Sequence, residues 1–132
     1  MATVPITTIP VMYRDAANWK ANGDIFLKGA ITQAQKDRIR VALDESLYFI
    51  PTQLSQPHLD RNRPSFPCGD DHVWHEMFIN DVVTEYVDEA SDLATVLANG
   101  TVEGFVTLIE SQSKAGWDVA AASRELDIVV PF

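Results

Sequence analysis

The chain is poor in the features that usually reveal a function. It has one cysteine, Cys68, among 132 residues. An intramolecular disulfide is therefore excluded, and a reducing compartment is expected. No apolar run approaches the ~20 residues a membrane-crossing helix needs. Met1–Ile6 lacks the basic start and apolar core of an export signal, which predicts cytoplasmic residence without a membrane partner. Walker and dinucleotide-binding glycine patterns are missing, so ATP and NAD have no support as ligands. From Pro64 to Ser113 there is no Lys or Arg, against ten Asp and Glu. With a net charge of -9, the surface repels phosphate backbones, and direct nucleic-acid binding is disfavoured.

What is present builds a core. A hydrophobic content of 46% over this length fits one domain spanning residues 1–132, without repeats or low-complexity tracts. Pro5 and Pro10 each remove a backbone donor, so residues 1–10 are expected to form a flexible or edge arm. The strongest local turn signal is Asn22-Gly23, which predicts a hairpin between Asn18–Ala21 and Asp24–Lys28. Thr32 and Gln35 read as a capping box opening a helix to about Leu43, with Ile39, Ala42 and Leu43 inward. Leu47–Ile50 reads as a short extended piece before Pro51, and Ser55–Gly69 as a long loop.

The stretch Phe66–Asp92 organises the rest. A polar head, Cys68-Gly69-Asp70-Asp71-His72, feeds two apolar runs, Val73–Ile79 and Val82–Val87, separated by Asn80-Asp81; this pattern predicts a second hairpin. Ser91 can cap a short helix, Asp92–Ala98. Thr101 can cap another from Val102 to about Lys114, burying Val102, Phe105, Val106 and Ile109. Asp118 opens a third through about Leu126, and Ile128–Phe132 forms an edge strand or tail. The expected class is α+β: a compact antiparallel sheet of about four or five strands packed against two or three helices.

Cys68, His72 and His75 form the one candidate metal-ligand set, with Asp70, Asp71 and Glu76 nearby; thiolate and imidazole suit zinc. On one extended strand, the odd offset of His72 and His75 would send them to opposite faces. Convergence then requires His72 to stay in the loop. Ile79 stands where a zincin helix needs its second histidine, so the standard zinc-hydrolase spacing is absent. No catalytic set can be assigned. A second candidate is an anion contact by Arg14 and Lys20, beside Tyr13 and Trp19.

The segment Tyr13-Arg14-Asp15-Ala16-Ala17-Asn18-Trp19-Lys20, with Trp74-His75-Glu76, is similar to a family of small prokaryotic proteins of uncharacterised activity. The resemblance implies a prokaryotic or phage setting and adds no catalytic residue. The function expected first is a non-enzymatic interaction or regulatory domain, with a protein partner or a second copy contacting Asp81, Glu85 and Asp88. The alternatives are a zinc-binding protein or metal-dependent hydrolase using Cys68, His72 and His75, and an acidic protein that imitates nucleic-acid charge.

Overall fold

The computed structural model describes residues 2–90 and 100–128. Five strands form one open antiparallel sheet, ordered β2-β1-β4-β3 with β5 also beside β1. β1 is Thr3–Arg14, β2 Lys20–Lys28, β3 Tyr48–Phe49, β4 His75–Met77 and β5 Val83–Asp88. The helices are α1 Gln33–Ala42, α2 Val102–Ala115 and α3 Val119–Leu126. The α+β class is as expected. No helix among the described residues is long and apolar enough to cross a membrane. The helix expected at 92–98 and the tail at 129–132 lie outside the described residues.

The N-terminal segment is the central strand, not an arm. β1 pairs with β2 along Ile6–Arg14, with β5 along Thr3–Thr8, and with β4 at Val11 and Met12. Its two prolines fit because their missing donors fall where neighbouring strands leave gaps. Pro10 faces the β4–β5 side, where its carbonyl accepts from Phe78 N at 3.0 Å, between the end of one pairing and the start of the next. Pro5 faces the other way, accepting from Gly29 N at 2.9 Å, just past the end of β2. Neither proline removes a ladder bond.

Both expected hairpins are corrected. β1 and β2 pair through Arg14↔Lys20, so their turn is residues 15–19 and Asn22-Gly23 lies inside β2. Asn18 supplies the positive φ, at 69°, and Asp15 Oδ1 accepts from Trp19 N at 2.8 Å. Gly23 is used for close approach instead of a turn: a Cβ there would stand 2.6 Å from Leu59 Cδ2. Gly23→Ala meets the terminal methyl of half-buried Leu59, which can turn aside, and should cost under about 1 kcal/mol, measured by urea denaturation. β4 and β5 do not pair with each other; both run antiparallel to β1 along the same side. A 3-10 turn, Ile79–Asp81, steps the chain onward without reversing it. Ile79, 3% exposed, anchors that step in the core.

The core lies between one sheet face and helices α1 and α2. Ile9, Val11, Ile25, Leu27, Phe49 and Met77 come from the strands. Ile39 and Ala42 meet them from α1, and Val102, Phe105, Val106 and Ile109 from α2. Burying a side chain of this size contributes roughly 1.5–3 kcal/mol. Both helix starts follow local chemistry: Thr32 and Gln35 complete the capping box, and Thr101 accepts from Gly104 N. Arg38 on α1 donates to Glu110 at 2.6 Å and Glu103 at 3.0 Å on α2, tying the helices together at the surface. A smaller cluster, Ile50, Val73, Ala122 and Ile128, holds α3 against the start of β4, with Trp74 and Trp117 packed beside it.

Candidate functional site

From Asp71 to Ile79 burial alternates strictly, with odd-numbered residues buried and even-numbered ones partly exposed. Only His75–Met77 is strand; the alternation continues from the bend at Val73 to the 3-10 turn that starts at Ile79. Asp71, Val73, His75, Met77 and Ile79 point inward; His72, Trp74, Glu76 and Phe78 point outward. His72 stays in the loop before β4 and His75 opens the strand, and both rings pack against Tyr13.

The inward residues build a polar cluster around Tyr13, which is fully buried. All three histidines of the chain surround its ring, with centroids at 4.3 Å for His58, 5.1 Å for His72 and 5.0 Å for His75. The Tyr13 hydroxyl donates to Asp71 Oδ1 at 2.6 Å and accepts from His72 N at 3.2 Å. His58, carried by the long loop, reaches the cluster because that loop folds back across the sheet. Its Nδ1 accepts from Asp60 N at 3.1 Å, which leaves Nε2–H to donate to the His72 carbonyl at 2.8 Å. His75 Nε2 accepts from Leu59 N at 3.1 Å, so the proton sits on Nδ1, which has no partner among the described residues.

These surroundings set the charge states. Burial, then the neighbouring His58, pushes the His75 pKa down to about 3. Burial also lowers His58. Tyr13 is raised well above its ordinary value, by burial first and then by its bond to Asp71. For Asp71, burial works upward, but bonds from Tyr13 and from the Cys68 amide and thiol outweigh it, and the net direction is down. At neutral pH the Asp71 carboxylate therefore lies beside neutral buried imidazoles and a neutral phenol.

The proposed zinc donors do not share a site: among the described residues, no group of three or more His, Cys, Asp or Glu is placed to hold a metal ion. Cys68 is exposed. The His72 ring is spent on the backbone, with Nε2–H donating to the Arg14 carbonyl at 2.6 Å and Nδ1 accepting from Trp74 N at 3.1 Å. His75 lies on the inward face. The anion-contact pair is also dispersed in its bonding. Arg14 donates to Asn18 Oδ1 at 2.9 Å and lies 3.6 Å from Glu76. Lys20 is exposed opposite it in the ladder. Asp15 turns away from its neighbour Arg14 toward Arg63, at 3.4 Å. Arg63 stacks 4.2 Å over Trp19 and lies 3.5 Å from Asp60 Oδ2, within ion-pair reach but outside hydrogen-bond geometry.

Asp81, Glu85 and Asp88 stand along the other feature, the edge formed by β5. This strand pairs only with β1 among the described residues. Even residues of β1 face it, and Glu89 N donates to the Ala2 carbonyl. By alternation, Val83, Glu85 and Val87 bond inward, while the backbone groups of Thr84, Tyr86 and Asp88 point away from the sheet. Val83 and Tyr86 are 50% and 67% exposed. Every charged side chain from Asp81 to Glu89 is acidic.

His58, Asp60 and Arg63 are the cluster members that spacing alone could not bring in; the long loop was a signal, but not of where it lands. No protein-family model matches the chain, and searches of curated proteins and solved structures return no significant similarity.

Proposed function

We propose that the protein is a non-enzymatic binding domain that takes an extended, basic segment of a protein partner as an added strand along β5. The observation that carries this reading is the outward row of backbone groups at Thr84, Tyr86 and Asp88, set among exposed Val83 and Tyr86 and acidic Asp81, Glu85, Asp88 and Glu89. An unpaired edge supplies main-chain hydrogen bonds to any extended peptide, and its side chains select which one. Here the selection is for positive charge. The same charges oppose a second copy, since two β5 edges would bring like carboxylates together. The internal hydrogen bonding of Tyr13, His58 and His72 supports binding over catalysis, because these groups are occupied in holding the loop to the sheet.

An eight-residue peptide alternating Lys and Val should bind, and protect the Thr84, Tyr86 and Asp88 amides from hydrogen exchange. Its Glu/Val counterpart should do neither. Tyr86→Pro removes an outward donor without touching the ladder to β1, and should weaken binding about tenfold or more. Charge reversal of Asp81, Glu85 and Asp88 to Lys should invert the preference between the two peptides. Equal binding of both peptides by the parent protein, or indifference to Tyr86→Pro, would overturn the proposal.

A further inference from the structure

His72, Trp74 and Glu76, the outward residues at the start of the Asp71–Ile79 run, border a groove beside β3 and β4. Two adjoining cavities of about 520 and 350 Å³ share Tyr48, His72 and Trp74 as their common wall. The larger is completed by Arg14, Asp15 and Glu76, and the smaller by Asp44 and Glu45. Tyr48 sits directly across the ladder from Glu76. Its ring meets Trp74 edge-on at 6.4 Å, and Trp74 is braced behind by Trp117 at 6.4 Å. The aromatic wall is thus built into the sheet and the second core cluster.

The charges at the two ends of the groove are not equivalent. At one end Arg14 is matched by Glu76 and Asn18, while Asp15 is matched by Arg63. At the other, Asp44 and Glu45 are exposed, and no hydrogen bond or ion pair engages either carboxylate among the described residues. Their position is set by a tight turn in which the Asp44 carbonyl accepts from Leu47 N at 3.0 Å and Tyr48 N at 2.8 Å. Two unmatched carboxylates beside a wall of two aromatic rings are complementary to a positive charge carried on an apolar stem.

We infer that this groove binds an organic cation, an ammonium or guanidinium held by Asp44 and Glu45 with its aliphatic stem along Tyr48 and Trp74. The site is separate from the β5 edge, and neither proposal depends on the other.

The test is titration of the intact protein with two probes, 1,4-diaminobutane and N-acetyl-lysine methylamide, following the Trp74 indole N–H resonance. A saturable shift that weakens with added sodium chloride is expected. Binding of the diamine alone identifies a free polyamine as the source; binding of the lysine derivative, alone or with the diamine, identifies a polypeptide side chain. Asp44→Asn/Glu45→Gln should weaken either probe about tenfold or more, while Glu125→Gln on α3 should leave the titration unchanged. These exposed side chains make no bond the fold needs, so the variants should report on binding alone. No saturable shift with either probe, or equal binding by the Asp44→Asn/Glu45→Gln protein, would overturn the inference.

Discussion

Stability should fall steeply as the pH drops from about 6.5 toward 3, a loss that begins before general carboxylate titration sets in. In the unfolded chain the His75 imidazole takes up a proton near its ordinary value of 6.5; in the fold it does so only near about 3. Between those values the unfolded state binds more protons, so stability rises with pH and is lost as pH falls. For His75 alone the loss is roughly 2 kcal/mol at pH 5 and about 4 kcal/mol near pH 3. His58, also lowered by burial, acts in the same direction. The groups facing these rings are Tyr13 from β1, Asp60 from the long loop, and Asp71 and His72 from the approach to β4. Asp71 adds a further loss in acid, because its lowered pKa makes its ionised form part of what the fold favours.

Urea denaturation across this range should therefore show uptake of more than one proton on unfolding near pH 5. His75→Gln keeps an acceptor for Leu59 N but cannot titrate, and should remove about one proton from that uptake. Constant stability between pH 6.5 and 4.5 would show that the rings are not held neutral. On the alkaline side the sign reverses. Tyr13 is raised above its ordinary 10.0, so the unfolded phenol ionises first and stability should decline above about pH 10.

The second large effect is expected from removing a single oxygen. Tyr13→Phe keeps the ring, and therefore the packing against His58 and His75, but deletes a hydroxyl with two bonds. Asp71 loses a 2.6 Å donor and His72 N loses its acceptor. A hydrogen bond to a charged group contributes about 1.5–3 kcal/mol, and an orphaned buried amide adds to the loss. The expected cost is about 2–4 kcal/mol by chemical denaturation. Asp71→Asn in the same background should cost less than it does in the parent protein. A coupling of about 1 kcal/mol or more in the double-mutant cycle would place the two groups in one network. A loss below about 0.5 kcal/mol for Tyr13→Phe would mean that the buried oxygen carries no such role.

How much of this could be read from residues depends on the range of the physics involved. Helix starts were legible because their chemistry is local: Thr32 with Gln35, and Thr101 with Gly104, complete their bonds within three residues. Strand pairing was not. Asn22-Gly23 has the chemistry of a turn, yet Leu59, some 36 positions later, occupies the space above Gly23. Pro5 and Pro10 argued against a central strand only on the premise of uninterrupted neighbours. The turn at Ile79–Asp81 and the end of β2 supply the interruptions. His58 joins the cluster through a loop whose return is decided by Leu59, Asp60 and Arg63 together. Cys68, His72 and His75 do not converge because each His72 nitrogen already has a backbone partner.

The placement of β1 has a consequence for how the chain is made. Its hairpin with β2 can close soon after Lys28 leaves the ribosome, but the strand's opposite flank waits for residues as late as Asp88. At roughly 5–20 residues per second, that interval is about 3–12 s of translation. Throughout it, a long ribbon bearing Ile6, Ile9 and Val11 lacks its other neighbour. The strand of this sheet made first is thus among the last to be enclosed, and this nascent edge is where a ribosome-associated chaperone would have most to shield.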